Sequence, residues 1–271
     1  MTGDLVAALV PRLVAPDIRV LLWDNSGELE SLDGAELHSD GSNVFYAAGN
    51  NRLFALGTAP FVLLLNPDVR ITAEDVLELV TVLHERPEVW GAAPQMVGSD
   101  GDPQRYLKRL PTARALLADR LPPLRVLFPR QHARYVCGDI DLRADALVEQ
   151  PPAAALLLRR ADLLAVGGLF DEAFPLFFND VDLARRLAPR GSCAYVSRVI
   201  VSHIGGASLR RAGRQGADIG AMYDRALLTY ADRNLRGNRA LQLAVWMRRR
   251  WDRRTGPWWA RADETTRQEQ T

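Results

Sequence analysis

Four places along the chain carry side chains suited to acid–base or metal chemistry: Asp24, Asp68, the pair Asp180 and Asp182, and His203. Each follows an apolar run or opens a helical pattern. Asp68 is the sharpest case. Residues 61–65, FVLLL, read as a buried strand that stops at Asn66-Pro67-Asp68. Open α/β folds bind ligands outside the carboxyl ends of their strands, where such a carboxylate would sit. Hard divalent cations take oxygen donors, and a histidine nitrogen also suits Mn2+. A second, separate carboxylate can take the proton of an attacking hydroxyl. Asp68 and Asp180 are 180 − 68 = 112 residues apart, so both can reach one sheet edge from different elements. Together they would suit displacement of a diphosphate leaving group neutralised by a cation.

Each residue also has a plainer reading. Asp24, in Asp24-Asn25-Ser26-Gly27, suits an Asx turn. Asp68 could cap the helix that opens near Thr72. Asp180 could cap the helix VDLARRL, and Asp182 in its first turn suits the helix dipole. His203 could be a partly buried histidine satisfied by backbone.

The elements that must position these residues are legible as periodicities. Leu5, Leu9 and Leu13 fall on one helix face, although Pro11 interrupts it. Ile18–Trp23 reads as a short buried strand. Gly49-Asn50-Asn51 leads into a helical pattern. Thr72 with Asp75 three residues on marks a helix start. Strand, helix, strand, helix in this order implies parallel strands with crossover helices. Residues 99–135, broken by five prolines, read as loops and short basic helices over one face of the sheet. Residues 153–159 return to a buried strand or short apolar segment, and the Val- and Ile-rich run to His203 alternates as a strand does.

Length and composition set outer bounds. The 271 residues suffice for one large or two small domains. At 48% hydrophobic and 25% charged the chain is ordinary for a globular protein, and a net charge of +1 gives no global field for nucleic acid. Two cysteines, Cys137 and Cys193, are read as free thiols in a reducing compartment. No stretch of 18 apolar residues occurs, and the first residues carry no signal-peptide pattern. The expected location is cytoplasmic, with peripheral contact at the inner face of the plasma membrane. That contact is read from residues 246–261, where four of six tryptophans lie among arginines. The equal alternative is a solvated helix packing its Trp face on the domain. Expected boundaries are a domain over 1–235 and a basic helical tail over 236–271.

Six ordered motifs between about Arg19 and Ser208 resemble the family-2 glycosyltransferases, especially the rhamnosyltransferase-like members. They are Leu22-Trp23-Asp24-Asn25-Ser26-Gly27, the Asn43–Asn51 turn, Leu63-Leu64-Leu65-Asn66-Pro67-Asp68, Lys108-Arg109-Leu110-Pro111-Thr112, the pair Val166–Glu172 and Phe177–Leu183, and His203–Ser208. The resemblance implies an α/β GT-A fold: a Rossmann-like, mostly parallel sheet with helices on both faces, here followed by the basic tail. It also implies inverting transfer of a hexose such as rhamnose from a nucleoside-diphosphate sugar to a hydroxyl acceptor, with Mg2+ or Mn2+. Carried over residue by residue, Asp180 is the base. Asp68 holds the metal, with His203 near it. Asp24, Asn51, Asn66 and Asp68 bind the nucleotide sugar, and Asp171, Glu172 and Asp182 lie on the acceptor side. Nucleic acid is not an expected partner.

Two departures shape the expectations. The family's Glu-Asp is Asn179-Asp180 here, so Asp180 lacks one like-charged neighbour and should titrate lower than with Glu beside it. Family members also open with a strand before the first helix, whereas residues 1–271 open at that helix. Either an upstream strand fills that place, or Ile18–Trp23 pairs directly with Phe61–Leu65. The alternatives are a non-catalytic sugar- or partner-binding member, and a nucleotidyltransferase. The latter would want a Gly-rich phosphate loop that the sequence does not contain.

Overall fold

Local sequence signals decide where most elements begin and end. In the computed structural model, which describes residues 2–121, 123–203, 218–235 and 239–255, the chain runs α1 (Thr2–Leu13), β1 (Val20–Trp23), β2 (Ala35–His38), α2 (Phe45–Leu56), β3 (Phe61–Leu65), β4 (Val69–Arg70), α3 (Ala73–Glu85) and β5 (Val89–Val97). It continues with α4 (Ala113–Arg120), α5 (Pro123–Leu127), α6 (Pro129–Tyr135), β6 (Ala146–Val148), β7 (Ala155–Arg159), α7 (Arg160–Ala165), α8 (Asn179–Leu187), β8 (Ser192–His203), α9 (Ile219–Asn234) and α10 (Arg239–Thr255). Helix α1 runs through Pro11 and buries Val6, Leu9, Val10 and Leu13. Helix α3 starts in a complete capping box. The Thr72 hydroxyl accepts from Asp75 N–H at 3.2 Å, and the Asp75 carboxylate accepts from Thr72 N–H at 2.9 Å.

The chain divides into two units, Met1–Leu110 with Asp139–Gly205, and Pro111–Gly138 with Gly206–Thr271. The sequence-based division at residue 235 and this division by packing therefore differ. The second unit is interleaved, because α4–α6 belong with α9 and α10.

The first unit is built on a mixed sheet ordered β3-β7-β5-β8-β4, with β6 also on β8. Strand β7 is antiparallel to both β3 and β5, and β5 is parallel to β8. So β3, β5 and β8 run in one direction, as crossover connections require, and β7 is reversed between β3 and β5. The reading as a mostly parallel sheet holds for β3, β5 and β8 and not for β7, β4 and β6, which run against them. Ala155–Leu158 of β7 are buried, as a strand central to the sheet should be. A register shift falls at Pro94/Gln95 of β5, where the partner in β8 moves from Val196 to Ile200. Pro94 has no N–H to give the ladder, which is where an irregularity is expected. Gly191 enters β8 at φ 132°, and a Cβ there would meet the Glu88 carbonyl oxygen at 2.3 Å.

Strands β1 and β2 pair in parallel as a separate two-stranded sheet. Ile18–Trp23 does not pair with Phe61–Leu65, so of the two alternatives drawn from the sequence, direct pairing is not what the chain does. Helix α2 holds β1 instead. A Cβ at Gly49 would meet the Trp23 ring at 3.0 Å, so glycine is what lets α2 lie this close. Arg19 also donates to the Leu56 carbonyl at 3.1 Å. Strand β3 is left with one hydrogen-bonded neighbour among the described residues. Both cysteines are free and buried.

An unpaired edge leaves backbone amides open to water. In native-state hydrogen exchange, the β3 amides that do not point at β7, together with those of β1, should exchange faster than those of β5 and β7. Equal protection across β3, β5 and β7 would contradict the open edge.

Candidate functional site

Asn66, Pro67, Asp68 and Val69 form a turn in which Val69 N–H donates to the Asn66 carbonyl at 3.1 Å. Proline at the second position suits such a turn, because its ring fixes φ where the turn needs it. Asn66 is fixed in turn, its N–H donating to the Ala154 carbonyl at 2.8 Å. The chain then doubles back as β4, which sets Val69 opposite His203 and Arg70 opposite Ser202 of β8. This brings the buried Asp68 carboxylate to 3.7 Å from His203 Nε2. Both residues stand at the carboxyl ends of strands that run in the same direction. Burial pushes the His203 pKa down, and the Asp68 charge only partly offsets this, so the imidazole stays neutral at ordinary pH. His203 Nδ1 is buried without a hydrogen-bond partner among the described residues.

An extended segment missed by the sequence reading passes this pair. Pro103 bridges to Val97, Gln104 N–H donates to the Met96 carbonyl at 2.8 Å, and Lys108 exchanges backbone hydrogen bonds with Gln150 at 3.0 and 3.1 Å. Alternate residues of an extended chain face one side. Gln104 donates to the His203 carbonyl at 3.2 Å, and the Tyr106 ring meets His203 edge-on at 5.3 Å. Burial and the Asp68 charge both raise the Tyr106 pKa. Lys108, next in the alternation, is close enough for its charge to act on Asp180. The signal available in the sequence was this polar alternation at 104, 106 and 108 within a proline-broken stretch.

Asp180 is the second residue of α8. It accepts from Val181 N–H at 2.8 Å and from Gln150 Nε2 at 3.3 Å. Burial raises its pKa, and the Val181 N–H and Lys108 only partly oppose that. Asn179 adds no charge, yet desolvation alone takes the shift upward. Tyr46 of α2 lies within reach of the Asp180 charge, and its buried hydroxyl donates to the Ala153 carbonyl at 2.8 Å. Asp182 faces elsewhere, because residues two apart on a helix project about 200° apart. It pairs with Arg186 at 2.8 Å, and Arg186 donates to the carbonyls of Val166, Gly168 and Leu169.

The remaining candidates are engaged within the chain. Buried Asp24 closes an Asx turn. One carboxylate oxygen accepts Ser26 N–H at 2.7 Å and Ser26 Oγ–H at 2.6 Å, and the other accepts Leu29 N–H at 2.8 Å. Burial alone would raise its pKa, but these bonds outweigh that and hold it low. Asn51 clamps the loop before α8, accepting from Phe170 N–H at 2.9 Å and donating to the Phe170 carbonyl and to Glu172 at 2.9 and 3.0 Å. Asp171 accepts from Ala173 N–H at 2.8 Å. The structure thus brings Asp68 and His203 into direct proximity and ties Asp180 to the neighbouring 104–108 segment. It commits Asp24, Asn51 and Asp182 to loop architecture. Positions 204–208 of the last motif lie outside the described residues.

Asp68 and His203 offer a hard oxygen and a borderline nitrogen. This donor set fits Mg2+ or Mn2+, which complete their shells with water and phosphate oxygens. Among the described residues no group of three or more candidate ligands occurs, so a cation here would depend on oxygens from a ligand.

Replacing Asn51 with Ala removes three hydrogen bonds and leaves Phe170 backbone groups unpaired. Urea unfolding of Asn51→Ala should show a loss of about 1–3 kcal/mol, and an unchanged midpoint would remove its clamping role.

No family model matches the chain. The uncharacterized protein y4gI of Sinorhizobium fredii (strain NBRC 101917 / NGR234) is 29% identical over 168 residues, 61% of this chain and 17% of that protein. Among solved structures, residues 1–349 of S. aureus TarS, in complex with UDP-GlcNAc, match with a TM-score of 0.52 at 12% identity, over 85% of this chain and 62% of that one. The mannosyltransferase PcManGT from Pyrobaculum calidifontis, in complex with GDP-Man and Mn2+, matches with a TM-score of 0.50 at 13% identity, over 90% of this chain and 64% of that one. The chain spans less than two thirds of each of these proteins. At such identities the likeness establishes architecture, and with its central sheet flanked by helices the chain has the GT-A fold of glycosyltransferases.

Proposed function

We propose that the first unit transfers a hexose from a nucleoside-diphosphate sugar to a hydroxyl acceptor, with inversion. The observation that carries this reading is a division of labour between two carboxylates. Asp68 sits beside a neutral His203 at the carboxyl ends of co-directional strands, and Asp180 is held separately with a raised pKa. A divalent cation bound there would neutralise the charge that develops on the departing diphosphate. Asp68 and His203 would hold it, and Tyr106 and Gln104 keep His203 in place. Asp180 accepts the acceptor hydroxyl's proton as the oxygen attacks the anomeric carbon. The new C–O bond forms on the face opposite the breaking bond to phosphate, which is why the configuration inverts. Gln150 fixes the Asp180 carboxylate for that transfer, and the Lys108 charge favours its ionised form. The motif resemblance supports rhamnose or a similar hexose as the sugar, and a surface polysaccharide or glycoconjugate as the product. TarS and PcManGT were solved with nucleotide sugars, which supports the donor class.

A second reading is a sugar- or partner-binding protein without turnover. It is favoured by β1 standing apart from β3 and by Asp24 and Asn51 being bonded within the chain. Donor hydrolysis with and without Mn2+ separates the two, and thermal shifts across a panel of nucleotide sugars identify the donor.

Asp180→Asn keeps shape and removes basicity. Turnover should fall by about 10²–10⁴-fold with donor affinity nearly unchanged. Only the deprotonated carboxylate works as a base, so activity should drop as pH falls through a pKa above the free aspartate value of about 3.9. Near wild-type turnover in Asp180→Asn would place the base elsewhere.

Asp68→Ala should abolish Mn2+-dependent donor binding in calorimetry. The loss should exceed the roughly 10–100-fold typical when an outer-shell partner of a metal is removed. Unchanged Mn2+ and donor affinity would remove the metal role.

A further inference from the structure

The net charge of +1 hides a strong segregation. The second unit, Pro111–Gly138 with Gly206–Thr271, carries 19 arginines against 8 carboxylates, a net charge of +11. The first unit carries 15 basic residues against 25 carboxylates, a net charge of −10. All the basic residues of the second unit are arginine.

Within this unit α10 is two-sided. Leu241, Ala244 and Val245 are buried, and the helix packs on α4 and α9. Leu243, Trp246, Met247 and Trp251 lie on the other side, 55%, 53%, 39% and 61% exposed. Their spacing of three, four and eight from Leu243 makes one stripe. Large apolar residues are ordinarily scattered singly over a surface, so four on one helix face mark an interaction site. The cations on this helix divide in the same way. Arg249 is turned to the buried Asp224 at 2.6 Å, and Arg248 to Asp252 at 3.1 Å. Arg239 and Arg250 are exposed, and the Arg250 guanidinium lies 4.8 Å from the centre of the Trp246 ring. Helix α5 of the same unit exposes Val126 and Leu127 at 85% and 66%.

We propose that this face docks on an anionic phospholipid bilayer. Charge complementarity selects an anionic partner for a unit of net charge +11. The apolar stripe selects lipid over nucleic acid, because phosphate backbones give Leu243 and Met247 nothing to enter. At a bilayer surface Leu, Met and Trp enter the headgroup–acyl boundary while arginine meets the lipid phosphates. Among the described residues no helix is long and apolar enough to cross a membrane, so the contact is one of lying on the surface. Residues 256–261, which complete the stretch singled out in the sequence, lie outside the described residues.

The test is co-sedimentation of the 271-residue chain with vesicles of phosphatidylcholine alone, and of equal parts phosphatidylcholine and phosphatidylglycerol. The chain should bind only the anionic vesicles, with a blue shift of tryptophan emission and weakening by salt. The double variant Leu243→Ser/Trp246→Ser should lose about tenfold or more of that binding, and Arg250→Glu should lose part of it. Both variants should melt like the parent, since the altered side chains are exposed, and should keep its donor hydrolysis without vesicles. Equal binding by parent and double variant would overturn the proposal, as would binding without the blue shift. So would a parent dimer that the double variant converts to monomer, which would make this face an interface between copies. Failure of the glycosyl-transfer reading would leave the vesicle result untouched.

Discussion

A two-residue antiparallel pairing at one end of the sheet holds the candidate site together. Strand β4 is only Val69 and Arg70, yet its pairing with His203 and Ser202 forces the chain to reverse within Asn66–Val69. The reversal decides where Asp68 goes. A longer loop would let its carboxylate swing into solvent. The short turn, with proline fixing φ, delivers it to the imidazole. In return β4 pairs with the last two residues of β8. The apolar run FVLLL followed by a proline and an acid thus marks a strand that is turned back across the sheet's working edge.

Around this point the polar groups separate by environment. His203 is desolvated beside a carboxylate and remains neutral. Asp180 is desolvated beside a lysine and an amide and has its pKa raised. The Pro103–Lys108 segment meets His203 through Gln104 and Tyr106, and the charge of Lys108 acts on Asp180. Helical geometry then assigns Asp180 and Asp182 to different tasks. Asp182 orients Arg186, which gathers three carbonyls of the glycine-containing loop before α8, and Asn51 holds the next residues of that loop, Phe170 and Glu172. Asp182 and Asn51 thus brace the loop that leads into α8.

The strand ends and the capping box at Thr72 were legible in the sequence because they depend on near neighbours, and the face of α1 was legible in part, at Leu9 and Leu13 and not at Leu5. The GT-A architecture followed from six motifs in order. The partners of single carboxylates were not legible in the same way. Asp24 and Asp68 each end a short apolar strand before a turn. One is consumed by Ser26 and Leu29, a local arrangement the sequence permitted. The other meets a histidine 135 positions away, a contact that only strand pairing creates.

By itself, then, the sequence determined several local elements, the strand that stops at Asn66-Pro67-Asp68 and the identity of the groups able to bind a cation or a proton. Tertiary structure decided that β7 runs against β3 and β5, that β1 stands apart from β3, and that Asp180 is desolvated despite the amide beside it. It also decided that the described helices of residues 111–138 and 218–255 pack together, which gathers arginines of a nearly neutral chain into one unit. The physical reason is the same in each case. Strand direction, desolvation and charge grouping depend on which distant segments exclude water from one another, and no window of neighbouring residues contains that information.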